Sequence, residues 1–101
     1  MVKYFSTRGG GSPASASEAV LKGLAEDGGL FFPDHIPALT KSLKQFADMS
    51  YQEVAYEVMQ PFLSDYTEEE LKNCIKNAYD DKFDTEAIAP LAYADGAYYL
   101  E

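Results

Sequence analysis

The sequence predicts an α+β fold, a small antiparallel or mixed sheet covered by about three to four helices. Three observations predict it. Short β-branched or aromatic segments near 2–6, 30–33 and 97–100 each adjoin glycine or proline, which is the pattern of strands bounded by turns. Ser15 with Glu18, Ser50 with Glu53 and Thr67 with Glu70 have the spacing of capping boxes, in which two side chains satisfy free backbone N–H groups at a helix start. The last two of these helices are separated by only a few residues, so they should form an antiparallel pair.

Taken in order, Val2 to Ser6 reads as a strand that delivers Thr7 and Arg8 to a glycine-rich turn at Gly9-Gly10-Gly11. Ala19, Val20 and Leu24 follow Ser15 at helical intervals, which predicts a helix near 16–25 ended by Asp27-Gly28-Gly29. Leu30-Phe31-Phe32 then reads as a buried strand stopped by Pro33. Ile36-Pro37 is extended, and Thr40 to Phe46 has the composition of a short helix. Tyr51, Val54, Ala55, Val58, Met59 and Phe62 repeat at 3.6-residue spacing, giving a helix near 51–63 with Pro61 bending its last turn. Leu71, Ile75, Ala78 and Tyr79 line one face of a helix near 68–79. Residues 90–93 and 97–100 flank Asp95-Gly96, the signature of a tight hairpin. The predicted sheet joins the strands near 2–6, 30–33 and 97–100.

A length of 101 residues supports one small domain, 1–101. Its 47% apolar content is that of a folding chain. A net charge of −9 repels phosphate backbones and anionic leaflets, which argues against nucleic-acid and membrane partners. No run approaches the roughly 20 apolar residues of a membrane span, and Ser6-Thr7-Arg8 interrupts the start too early for a signal peptide. Cys74 is the only cysteine, so an intrachain disulfide and a cysteine metal cluster are both excluded, and a cytoplasmic setting fits best.

Few residues carry chemistry. His35, between Asp34 and Ile36, has no serine or cysteine nearby to activate and reads as a surface histidine. Cys74 falls among Leu71, Ile75 and Ala78, where a cysteine behaves as a small, partly buried apolar residue. Glu68-Glu69-Glu70 suits the positive end of a helix dipole, and Asp80, Asp81 and Asp84 lack the spacing of a calcium loop, so no metal site is expected. The suggestive stretch is Ser6-Thr7-Arg8 with its three glycines, because hydroxyls, a guanidinium and free amides are all donors to an anion such as phosphate. The same residues also suit a flexible turn with a solvated arginine. The segment is not a Walker loop, which needs a lysine and a serine or threonine in register.

Tyr4-Phe5-Ser6-Thr7-Arg8-Gly9, Glu18-Ala19, Gly23-Leu24-Ala25, Asp27-Gly28-Gly29-Leu30-Phe31-Phe32-Pro33 and Ile36-Pro37 come in an order and spacing that resemble the opening of threonine synthases. Ser50-Tyr51 with Glu53 and Ala55, and Ala78-Tyr79 with Phe83, resemble the later helices of the same domain. The resemblance runs from residue 4 to about 100. It implies an N-terminal domain of an enzyme that converts O-phosphohomoserine and water to threonine and phosphate, with pyridoxal phosphate bound to a lysine. None of Lys3, Lys22, Lys41, Lys44, Lys72, Lys76 or Lys82 lies in the family's phenylalanine-lysine-aspartate context, and Lys82-Phe83-Asp84 has those letters in another order. The resemblance therefore implies no catalytic and no cofactor-binding residue in these 101, a cofactor held elsewhere in the full-length enzyme, and the catalytic domain of the same chain as partner. Within this chain it points to Ser6, Thr7 and Arg8 as substrate-binding residues, with a structural role for Thr7 and Arg8 as the competing reading.

The chain stops on an apolar strand, which suggests truncation from a longer protein, and Leu100-Glu101 also matches a cloning remnant. The alternative function is a freestanding acidic domain that binds another protein through the edge of Tyr98 to Leu100.

Overall fold

A computed structural model describes residues 1–82 and 87–100; Phe83, Asp84 and Glu101, on which sequence readings fell, lie outside the described residues. The elements are β1 (Tyr4–Ser6), α1 (Ala16–Lys22), β2 (Phe31–Pro33), α2 (Leu43–Ala47), α3 (Tyr51–Met59), α4 (Glu68–Ala78), β3 (Leu91–Ala94) and β4 (Ala97–Leu100). The α+β class is the predicted one.

β1 and β2 pair antiparallel, with Tyr4 opposite Pro33 and Ser6 opposite Phe31. β3 and β4 form a second antiparallel pair, closed by Asp95 and Gly96 with φ of 51° and 80°. The expectation that residues 97–100 join the first sheet is therefore wrong. A two-residue turn pairs β4 with its immediate neighbour at small loop-closure cost, whereas joining β1 would close a loop of the whole domain. The free side of β1 is also taken, since Tyr4 and Ala14 exchange two backbone hydrogen bonds of 2.9 Å.

Hydroxyl caps start each of α1 to α4. Ser42, Ser50 and Thr67 form reciprocal boxes with Gln45, Glu53 and Glu70, while Ser15 accepts from the Glu18 N–H without the return bond. α1 is shorter than predicted because Gly23, with φ 73°, closes it before the Asp27-Gly28-Gly29 turn is reached. α3 ends at Met59 rather than near 63, and residues 60–65 form turns around Pro61, whose ring is incompatible with a helix interior.

α3 and α4 pack as an antiparallel pair. The start of α3 meets the end of α4, where Gln52 Nε2 donates to the Tyr79 carbonyl at 2.7 Å and the Tyr51 and Tyr79 rings lie 5.1 Å apart. Leu71 and Ile75 are buried on α4, as its apolar face predicts, but Val58 and Cys74 are exposed. Partial burial of Cys74 is thus corrected: of that apolar stripe Leu71 and Ile75 are buried, and Cys74 between them in sequence is exposed. The turns between α3 and α4 are tied to the first sheet by Tyr4, whose hydroxyl donates to the Phe62 carbonyl, and to α1 by Ser17, whose N–H and hydroxyl both donate to Asp65 Oδ2. The buried apolar set is small, namely Val2, Ala14, Ala16, Ala25, Leu71 and Ile75. A radius of gyration of 16.1 Å exceeds the roughly 13 Å usual at this length, so many large apolar side chains stay uncovered.

Candidate functional site

Residues 6–10 and 27–30 meet edge to edge where β1 and β2 begin their pairing. The Thr7 N–H donates to the Leu30 carbonyl at 2.8 Å, and the Leu30 N–H donates to Thr7 Oγ1 at 3.0 Å. Asp27 is the centre of the remaining bonds. Its Oδ1 accepts from the Ser6 hydroxyl at 2.6 Å and from its near neighbour Gly29 N–H at 3.0 Å, while Oδ2 accepts from Gly10 N–H at 2.8 Å. Ser6 Oγ in turn accepts from the Arg8 N–H at 3.1 Å, and Arg8 Nη1 donates to the Asp27 backbone carbonyl at 2.9 Å.

Two approaches here are close, one fixed by the loop and one made by the tip of a side chain. A Cβ on Gly29 would collide with Ser6 Oγ, and one on Gly28, where φ is 84°, would lie 2.8 Å from Arg8 Nη1. The turn and the loop are thus a fitted pair.

Hydrogen bonding governs the electrostatics. The Ser6 hydroxyl, then the Gly29 N–H, hold the Asp27 carboxyl below its ordinary value, with the Arg8 charge adding to the effect. Arg8 makes no ion pair among the described residues, because its guanidinium meets a backbone carbonyl rather than the carboxylate. Its charge is therefore not cancelled by a bonded carboxylate.

Ser6, Thr7 and Arg8 are brought together as consecutive residues, yet their donors are not equally available. Ser6 is buried and bonded twice, and the backbone N–H groups of Thr7, Arg8, Gly9 and Gly10 are all spent on acceptors of this chain. The expected cradle of free amides is absent from those four positions. What the loop offers an anion is the exposed Arg8 guanidinium, with N–H groups beyond the one given to Asp27, beside the exposed Thr7 hydroxyl. A shallow pocket of about 150 Å³ flanks the glycines, but Glu18 and Glu26 line it, and Lys22 there is paired with Glu26 at 3.3 Å. Phosphate would be repelled from that side.

The other candidates stay apart from this loop. His35 is exposed and its Nδ1 lies 2.7 Å from Asp34 Oδ1. Asp80 bonds the Lys82 N–H, and no cluster of three or more His, Cys, Asp or Glu able to hold a metal occurs among the described residues. Nor is any described helix long and apolar enough to cross a membrane. Asp27 is the functional-site residue that the sequence reading passed over as a helix stop. Its signal was present: aspartate two residues before an N–H it can bond is an Asx turn.

A family profile described as "Threonine synthase N terminus" matches residues 3–79. The chain is 47% identical over 81 residues to the threonine synthase of Schizosaccharomyces pombe, covering 77% of this chain and 16% of that protein. It is 32% identical over 97 residues to the threonine synthase of Pseudomonas aeruginosa, covering 94% and 20% respectively. A crystal structure of PLP-bound threonine synthase from Brucella melitensis resembles all of this chain with a TM-score of 0.75 and 33% identity, over 22% of its own length. The chain thus spans about a fifth of the relatives it matches.

Proposed function

Because the chain belongs to the threonine synthase family as its N-terminal domain, we propose that it serves an enzyme converting O-phosphohomoserine and water to threonine and phosphate, and that Arg8 contacts the substrate phosphate. The observation that carries this reading is the exposed guanidinium of Arg8, fixed at one corner by the Asp27 carbonyl and free of any bonded carboxylate. Such a group binds a phosphate dianion through paired N–H bonds. The Thr7 hydroxyl adds a donor beside it, while Ser6 holds the loop rather than the substrate. Forming threonine breaks the bond between carbon and the phosphate oxygen, and negative charge builds on the departing phosphate. A fixed guanidinium stabilises that charge.

Pyridoxal phosphate supplies electron withdrawal from the substrate carbons when it is bound to such an enzyme. None of the seven lysines of this chain lies in the family's phenylalanine-lysine-aspartate context, and four of them, Lys22, Lys41, Lys72 and Lys82, are paired with Glu26, Glu57, Glu68 and Asp80. In this reading the rest of the enzyme holds the cofactor and covers the apolar surface left open here, residues 1–101 form one domain that is inactive alone, and the protein works in the cytoplasm. The freestanding interaction domain gains no support, since the relatives named above are threonine synthases several times longer.

The test is Arg8→Ala in the full-length enzyme, with steady-state kinetics on O-phosphohomoserine beside a thermal melt. Loss of one charge-assisted contact lowers kcat/KM by roughly tenfold or more at an unchanged melting temperature. A loss of efficiency that only tracks a loss of stability makes Arg8 structural.

A further inference from the structure

We propose that Asp27 is a positioning residue for the Arg8 loop, clasping it through both carboxylate oxygens and its own carbonyl so that the guanidinium is presented in one orientation; this rests on the substrate-contact reading of Arg8. Asp27 reaches three different parts of the loop at once. Oδ1 takes the Ser6 hydroxyl at the end of β1, Oδ2 takes Gly10 N–H beyond Arg8, and the backbone carbonyl takes the guanidinium between them. Arg8 is therefore bracketed by anchors on either side and tethered at its tip. Pre-organisation of this kind removes the ordering cost that a free loop would bear on meeting an anion. It also separates two jobs that one carboxylate would otherwise confuse: the Asp27 charge goes to neutral O–H and N–H donors, and the Arg8 charge remains for a ligand.

The glycines on both sides agree with this role. A Cβ on Gly10 would lie 2.6 Å from Asp27 Oδ2, one on Gly29 would collide with Ser6 Oγ, and one on Gly28 would have to displace the Arg8 guanidinium. Asp27 thus acts through the loop, without touching substrate itself.

Asp27→Asn in the full-length enzyme is the discriminating variant. The amide oxygen keeps the Ser6 and Gly29 bonds, and its NH₂ then confronts the Gly10 N–H, opening the clasp on one side. Limited trypsin digestion reads the loop without reference to activity, since Arg8-Gly9 is a tryptic bond; cleavage there should quicken severalfold while cleavage elsewhere keeps its rate. Kinetics read the consequence: Asp27→Asn should raise KM for O-phosphohomoserine and lower kcat/KM severalfold, yet change it less than twofold in an Arg8→Ala background. Ser6→Ala, which opens the clasp at its other end, should repeat both effects at smaller size if Asp27→Asn does not fold. Unchanged digestion at Arg8-Gly9, or an undiminished kinetic loss in the Arg8→Ala background, overturns the positioning role. If digestion quickens but Arg8→Ala itself leaves kcat/KM intact, the clasp is real, the substrate-contact reading is what fails, and the proposal falls with it.

Discussion

The Tyr4 hydroxyl donates to the backbone carbonyl of Phe62 at 2.5 Å, joining the first strand to the turn after α3 across 58 residues. It holds the first sheet onto the helix pair, as the Ser17–Asp65 contacts hold α1, in a chain whose buried apolar set is small. Tyr4→Phe keeps the ring and removes this bond, leaving the Phe62 carbonyl without its donor. The expected loss is about 0.5–1.5 kcal/mol by urea denaturation of the 101-residue chain. No loss would show that the Tyr4 hydroxyl bond adds nothing to the attachment of the sheet.

Leu71 and Ile75 are each 3% exposed, and Val58 is 40% exposed. Leu71→Ala in the same chain should cost about 2–5 kcal/mol, as large-to-small core substitutions do. Val58→Ala should cost less than about 1 kcal/mol, because much of its side chain is already in water. Equal costs would mean that α3 presents a different face to α4.

These cases mark what the sequence carried. Helix starts were legible because capping is local: a hydroxyl and a carboxylate three residues apart decide the matter, and Ser42 with Gln45 had the same readable spacing, which starts α2 at Leu43 rather than at the expected Thr40. The hairpin was legible because Asp95-Gly96 selects its own turn. Sheet membership was not, since nothing within residues 97–100 says whether the other edge of that hairpin also joins β1. Burial was misjudged at Cys74 because an apolar stripe shows which side of a helix prefers cover, while the partner helix decides how wide the covered strip is. In the candidate site, Ser6, Thr7 and Arg8 stood out by composition, but Asp27 gains its role from bonds made 17 to 21 residues away in the chain.

Acid should weaken the fold in a defined direction. Asp27, held down chiefly by the Ser6 hydroxyl, and Asp65, held down chiefly by the Ser17 hydroxyl, both lie below the ordinary 3.8 when folded. Each contributes stability that is present above that value and lost as pH falls through the lower folded one. Tyr4, raised chiefly by burial, behaves in the opposite sense: its contribution is present below 10.0 and lost as pH climbs through the raised folded value. Thermal melts should therefore be level near neutrality and fall at both extremes. Asp27→Asn should flatten the acid side, and an acid limb of unchanged steepness would remove Asp27 from this account.

Gly28 and Gly29 offer the sharpest separation of loop architecture from arginine placement. A Cβ on Gly29 would overlap Ser6 Oγ and lie 3.0 Å from Thr7 Oγ1 and 3.1 Å from the Arg8 nitrogen. None of these can swing aside: Ser6 Oγ is held by two hydrogen bonds, Thr7 Oγ1 is bonded to Leu30, and the Arg8 nitrogen is backbone. Gly29→Ala must therefore push the end of β1 off the turn, at a cost of about 1–3 kcal/mol, the range of overpacked interiors. At Gly28 the obstacle is Arg8 Nη1, the far end of a flexible side chain, which can leave; the cost that remains is the left-handed backbone, about 1 kcal/mol for a residue with a Cβ. In the full-length enzyme both substitutions should lower kcat/KM. Gly29→Ala should lower the melting temperature more, because it breaks the strand pairing, whereas Gly28→Ala should mainly free the guanidinium and raise KM for O-phosphohomoserine. An unchanged melt for Gly29→Ala would show that the turn and loop are less closely fitted, and a Gly28→Ala enzyme with unaltered KM would show that the tether to Asp27 does not set the position of Arg8.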